Sequence, residues 1–218
     1  MPPPAKPRPA ARPDPSLAPP LAALAARDPD IARAYAAAGL PPLRSSPTGF
    51  PGLLRIIVAQ QVSTASAAAI LGRLQALLPA LTPDAFLALA EADHRAVGLS
   101  RAKSRYAIAL AEAMAGGGLS HRRLARLDDA GVMAALTALP GFGRWSAECY
   151  LLFALKRPDV MPAGDLALQV AAGRLKNLPA RPSEKALLAM SEAWRPHRSA
   201  AARFLWHFYR HQGVPDLA

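Results

Sequence analysis

The nine residues Leu139-Pro140-Gly141-Phe142-Gly143-Arg144-Trp145-Ser146-Ala147 hold the strongest chemical signal in this 218-residue chain. Two glycines spaced i, i+2 allow a tight turn with positive φ and no Cβ in the way. A helix ending at Leu139 and another beginning near Arg144 would leave the amides of Gly141, Gly143 and the next first turn pointing outward. Such amides, with a helix dipole behind them, bind a phosphate. Phe142 can plug the turn against the helices. The same nine residues equally fit an ordinary glycine-capped αα-turn. A second candidate is Asp165, in Pro162-Ala163-Gly164-Asp165 ahead of a helical stretch. The dipole and free amides there favour a carboxylate in its ionised form, although most aspartates so placed only cap. Gln60 and Gln61 lie between two helical stretches; their amides can both donate and accept, and by themselves read as a polar linker.

The charge balance says what such groups could face. Lys+Arg 26 against Asp+Glu 15 gives +11, which excludes an acidic disordered tail and makes a polyanion the first partner to expect. Arg101, Lys103 and Arg105 are separated by two residues each, about 200° on a helix, so they make no narrow stripe. His121-Arg122-Arg123, Arg195 and Arg198 add further positive charge. The single cysteine, Cys149, excludes a disulfide framework and a four-cysteine zinc or iron–sulfur site. With no base evident beside it, it reads as a small packing residue. The five histidines show no metal-ligand pair with a carboxylate, so no catalytic metal is expected. No run approaches the roughly 18 apolar residues that span a bilayer, and the N-terminus has no apolar signal region. A soluble chain in a reducing compartment is the expectation.

The elements that must position these residues read as helix after helix, with no alternating strand pattern. An alanine-rich composition favours that result. Helical stretches are predicted over 21–38 (interrupted at Asp28-Pro29), 50–60, 63–78, 82–91, 101–115, 129–138, 144–155, 166–174, 183–193 and 197–211. Residues 1–20 hold nine of the 23 prolines and are expected to form a disordered, mildly basic arm, with the folded domain over 21–218. Gly116-Gly117-Gly118 is a flexible break and a candidate boundary between two lobes.

Three separated segments resemble one family. The hairpin residues 139–147, followed about twenty residues later by Pro162-Ala163-Gly164-Asp165, are similar to the helix–hairpin–helix DNA glycosylase superfamily and its aspartate. The stretch FPGLLRIIVAQQVSTASAAAILGRL over 50–74 resembles that family's lesion-side helix, with its Gln-Gln pair before Val-Ser. Gly98-Leu99-Ser100-Arg101-Ala102-Lys103-Ser104-Arg105-Tyr106 matches a third segment. Order and spacing agree over roughly residues 28–212. The likeness is to the DNA-3-methyladenine glycosylase II branch, in a short bacterial form lacking the extra N-terminal β-lobe.

The resemblance implies an all-α, two-lobed fold with a DNA cleft between lobes. One lobe would hold the hairpin, near 129–155, and the helices before it; the other would join the N-terminal helix to the C-terminal ones. It implies that Asp165 stabilises the oxocarbenium-like sugar cation formed when an N-glycosidic bond breaks. Bifunctional relatives carry a lysine where this chain has Trp145, so a monofunctional hydrolase is implied. Trp145 would stack on the extruded base, with Cys149 at i+4 where similar members have tyrosine. His197 stands where some relatives have a pocket tryptophan, and Phe50 or Tyr150 would compensate for the lost aromatic surface. Gln61 is implied as the wedge filling the vacated stack and Gln60 as a neighbour contacting bases. Gly141, Phe142, Gly143 and Arg144, with Ser100, Arg101 and Lys103, would bind phosphates. No cofactor is expected beyond a monovalent cation held by hairpin carbonyls. The implied partner is double-stranded DNA with a damaged base, met by a monomer in the bacterial cytoplasm at the nucleoid. The implied reaction is release of 3-methyladenine and 7-methylguanine in base excision repair. Alternatives are a same-fold glycosylase for deaminated or oxidised bases, or a non-enzymatic helix–hairpin–helix DNA-binding protein.

Overall fold

The computed structural model describes residues 12–44 and 46–211. These form helices throughout: α1 (Ala18–Ala25), α2 (Pro29–Ala38), α3 (Gly49–Ala59), α4 (Thr64–Leu77), α5 (Pro83–Leu87), α6 (Glu91–Ala96), α7 (Arg101–Ala115), α8 (His121–Arg126), α9 (Asp129–Thr137), α10 (Arg144–Phe153), α11 (Leu166–Leu175), α12 (Glu184–Ser191) and α13 (Arg198–His211). Among the described residues there is no strand, only an isolated bridge between Pro13 and Pro42. None of these helices is long and apolar enough to cross a membrane. The all-α class read from the sequence is the class observed.

The chain divides into two compact units. One is built from the described residues up to Arg44 together with those from Ala163 onward; the other is everything between, through Pro162. The allocation of helices to lobes expected from the sequence is therefore observed. The boundary is not at Gly116-Gly117-Gly118, which lies within one unit. There Gly116 caps α7, Gly117 takes φ +74°, and the Gly118 carbonyl accepts from the Arg123 guanidinium at 2.9 Å.

In the central unit, α3 presents Phe50, Leu53, Leu54, Ile57 and Val58 to a core shared with Leu74, Phe86, Leu110, Leu136 and Tyr150. It packs against α4, α7 and α10, and α9 packs against α10. Side-chain caps from Ser63, Thr82, Ser100, Ser120 and Asp128 start α4, α5, α7, α8 and α9, each satisfying an amide that the helix itself cannot. Helix α8 falls outside the predicted stretches, and the stretch predicted over 82–91 holds α5 and only the first residue of α6.

In the discontinuous unit, α13 packs against α11, α1 and α2. Asp28 caps α2 and also accepts from Lys176 Nζ at 2.7 Å and the Trp194 indole at 2.9 Å. One buried carboxylate thus ties α2 to the ends of α11 and α12. The expected arm needs correction here. Residues 1–11 lie outside the described residues, but 12–20 are folded. Asp14 is buried, caps a 3-10 turn at Pro15–Leu17, and pairs with Arg203 of α13 at 2.6 Å. Leu43 N–H donates to the Arg12 carbonyl at 2.7 Å. Pro15, Pro19 and Pro20 stand in first turns, where a missing N–H costs nothing, so proline density there marks helix starts rather than an extended arm.

Candidate active site

The hairpin between α9 and α10 forms as its glycines dictate, with one difference. Gly141 takes φ +81°, whereas Gly143 is the extended N-cap of α10 at φ −90°. A Cβ on Gly141 would run into the Tyr106 ring, so this glycine answers both conformation and close approach; a Cβ on Gly143 would meet nothing within 4 Å. Phe142 is buried, and its amide closes the turn onto the Leu139 carbonyl at 3.2 Å. Gly143 and Arg144 are exposed at the start of a ten-residue helix.

Two of the other motif segments meet this hairpin. A cavity of about 620 Å³ is lined by Gln60 and Gln61, by Ser100, Lys103 and Tyr106, and by Gly141, Trp145 and Ser146. Gln60 is not directed outward. Its Nε2 donates to the Gly141 carbonyl at 2.8 Å and the Ser146 hydroxyl at 3.2 Å, so the amide nitrogen latches the α3 end to the hairpin. Gln61, by contrast, is exposed at the turn's tip with φ +54°, a conformation uncommon for a non-glycine residue. Lys103 also has a partner: its Nζ donates to the Val58 carbonyl near the end of α3 at 2.7 Å, and burial pushes its ammonium below the ordinary lysine value. Ser100 Oγ is engaged by the Lys103 amide as the α7 cap, and Arg101 is exposed beside it. Arg144 Nε bonds the buried Glu148 at 2.8 Å, one turn along its own helix.

Three expected pocket residues do not line this cavity. Phe50 packs on Phe86 in the core with ring centroids 5.6 Å apart. Tyr150 is fully buried; burial pushes its phenol above the ordinary value, its oxygen accepts from Gly49 N–H at 3.3 Å, and His121 Nδ1 lies at the same distance. Cys149 is likewise buried. Phe50 and Tyr150 belong to the hydrophobic core of their unit. Trp145, with Ser146 beside it on α10, does line the cavity.

In the other unit, Asp165 caps α11. Its Oδ1 accepts from the Leu168 amide at 3.0 Å and from the Trp206 indole N–H, also at 3.0 Å. His197 immediately precedes α13 in this unit, its amide on the Trp194 carbonyl at 2.8 Å. Among the described residues no three histidine, cysteine or carboxylate side chains gather as a metal site. The Leu139 and Gly141 carbonyls of the hairpin already accept from Phe142 N–H and Gln60 Nε2, so a monovalent cation would share them with those donors.

The model of the HhH-GPD superfamily of base excision DNA repair proteins matches residues 54–196, which takes in the Gln60-Gln61 turn, the hairpin and Asp165. The chain belongs to that superfamily. It is 34% identical over 160 residues to DNA-3-methyladenine glycosylase 1 of Schizosaccharomyces pombe, covering 71% of this chain and 69% of that one. A Bacillus subtilis protein matches at 34% identity over 124 residues, 57% of this chain and 43% of that relative, so the chain spans less than half of the latter's length. Among solved structures, a 3-methyladenine DNA glycosylase of S. pombe in complex with abasic DNA aligns with a TM-score of 0.79 at 29% identity, over 91% of this chain and 98% of that one. The superfamily match ends at residue 196, short of Trp206. That indole, and Tyr106 beneath the hairpin, are the site residues that sequence reasoning missed.

Proposed function

We propose that this HhH-GPD protein is a monofunctional DNA glycosylase that hydrolyses the N-glycosidic bond of alkylated purines, 3-methyladenine and 7-methylguanine, in duplex DNA. The observation that carries this reading is Asp165, a carboxylate held by two N–H donors at a helix N-terminus, in a chain whose position 145 holds an indole and no amine. Bond cleavage develops positive charge on the sugar, and a fixed carboxylate lowers the energy of that state and orients the attacking water. Without an amine at position 145 no Schiff base forms there, so the strand stays intact and an abasic site remains. Extruding a base leaves a gap in the stack, and Gln61 is the exposed side chain suited to fill it. The outward amides at Gly143 and the first turn of α10 suit a backbone phosphate. Trp145 favours an electron-poor, cationic alkylated base, which is already a good leaving group and needs little acid help. Catalysis by a monomer without a metal belongs to the same proposal.

The test is single-turnover release of methylated purine from a duplex oligonucleotide by Asp165→Asn. The rate is expected to fall at least about 100-fold while duplex affinity stays at the parent value. An Asp165→Asn protein that releases base at the parent rate removes the assignment.

A further inference from the structure

Asp165 has a partner that neither the hairpin motif nor the superfamily match contains. We propose that Trp206 is a positioning residue for the Asp165 carboxylate, a role that rests on Asp165 being the catalytic group. An N-cap bond alone lets a carboxylate pivot about Cβ–Cγ and exchange its oxygens. The Trp206 indole donates to Oδ1, the same oxygen that accepts the Leu168 amide, and each bond is 3.0 Å long. Two donors from different helices on one oxygen select a single orientation and so aim the other oxygen.

The indole is itself held in place. It projects from α13, which packs against α11. Three residues before it Arg203 is bonded to Asp14 at 2.6 Å, and one residue after it His207 Nε2 is 2.8 Å from the Ala38 carbonyl. Phe204, Leu205 and Phe208 on the same helix are buried. The donor type matters as well. An indole N–H only donates and carries no charge. It orients the carboxylate without neutralising it, whereas a lysine or arginine in its place would spend part of the negative charge that the sugar cation needs.

Trp206→Phe keeps an apolar ring and removes the N–H. Single-turnover release of methylated purine is expected to fall about 10- to 100-fold, with duplex affinity and the thermal midpoint at parent values. Because the indole acts through Asp165, the double variant Asp165→Asn/Trp206→Phe should be no slower than Asp165→Asn alone. Parent-rate release by Trp206→Phe, or further slowing of Asp165→Asn by it, overturns the proposal and leaves the catalytic reading of Asp165 intact. Parent-rate release by Asp165→Asn overturns that reading, and this role with it. If Trp206→Phe lowers the midpoint, replacing Trp206 with 3-benzothienylalanine, whose sulfur stands in for the N–H at nearly unchanged shape, decides: the same fall supports the role, and the parent rate refutes it.

Discussion

In the proposed reaction, the residue at position 145 decides whether the strand is cut, and here it is Trp145. Converting it to lysine supplies an amine but not the desolvation or neighbouring charge that lowers a lysine pKa enough to attack a sugar aldehyde. Trp145→Lys is therefore expected to gain no strand cleavage and no borohydride-trapped adduct on abasic DNA. A trapped adduct would show that the cavity already provides that environment. Gln60 and Gln61 are adjacent, yet one is bonded to the hairpin and the other is exposed. Gln60→Ala removes two hydrogen bonds to the hairpin and is expected to cost about 1–2 kcal/mol in urea unfolding. Gln61→Ala, at an exposed tip, should leave stability within about 0.5 kcal/mol of the parent and weaken binding to abasic duplex. The capping of α11 by Asp165 was legible because a cap is local: residue type and the following helix suffice. The partners of Gln60, Lys103 and Trp206 lie 81, 45 and 41 residues away in sequence, and no spacing rule reaches that far.

At the scale of elements, the hairpin distinguishes its two glycines. Gly141→Ala forces a Cβ into the Tyr106 ring at a positive φ and is expected to destabilise by about 2–4 kcal/mol. Gly143→Ala, extended and unobstructed, should unfold within about 0.5 kcal/mol of the parent. Equal urea midpoints for the two would contradict the packing described. Long amphipathic helices such as α3, α7 and α13 were legible because their apolar residues recur over several turns. Helices α6 and α8 were not, since six residues give less than two turns of pattern and their sequences are dominated by charge. His121-Arg122-Arg123 read as a basic cluster; it is the first turn of α8, capped by Ser120.

At the scale of the molecule, the surplus of +11 draws the chain to a polyanion without choosing a lesion. The buried acidic residues make the more specific contacts, Asp28 with Lys176 and Trp194 and Asp14 with Arg203. Burial pushes Asp28 and Asp14 up, but the Lys176 and Trp194 bonds on one, and the Ser16 and Arg203 bonds on the other, outweigh it and hold both below the ordinary carboxylate value. A carboxyl with a depressed folded value adds stability that is present above its unfolded value of 3.8 and lost as pH falls through the folded one. Unfolding free energy should therefore drop as pH is lowered below about 4. Asp28→Asn should cost about 2–3 kcal/mol at neutral pH and flatten that acid limb; an unchanged limb would contradict the network's role. The pairing of the N-terminal segment with the C-terminal helices was legible only through family resemblance. Composition pointed instead to the Gly116–Gly118 run, since a glycine run marks a break in a helix but not which helices pack together.

The central claim is tested most directly by identifying the released base. The parent protein and Asp165→Asn would each be incubated with duplexes carrying methylated, deaminated or oxidised bases. Free bases would then be resolved chromatographically and the strands on a denaturing gel before alkali. The expected result is free methylated purine from the parent only, with every strand uncut. Release confined to deaminated or oxidised bases, no release at all, or a strand cut without alkali would contradict it.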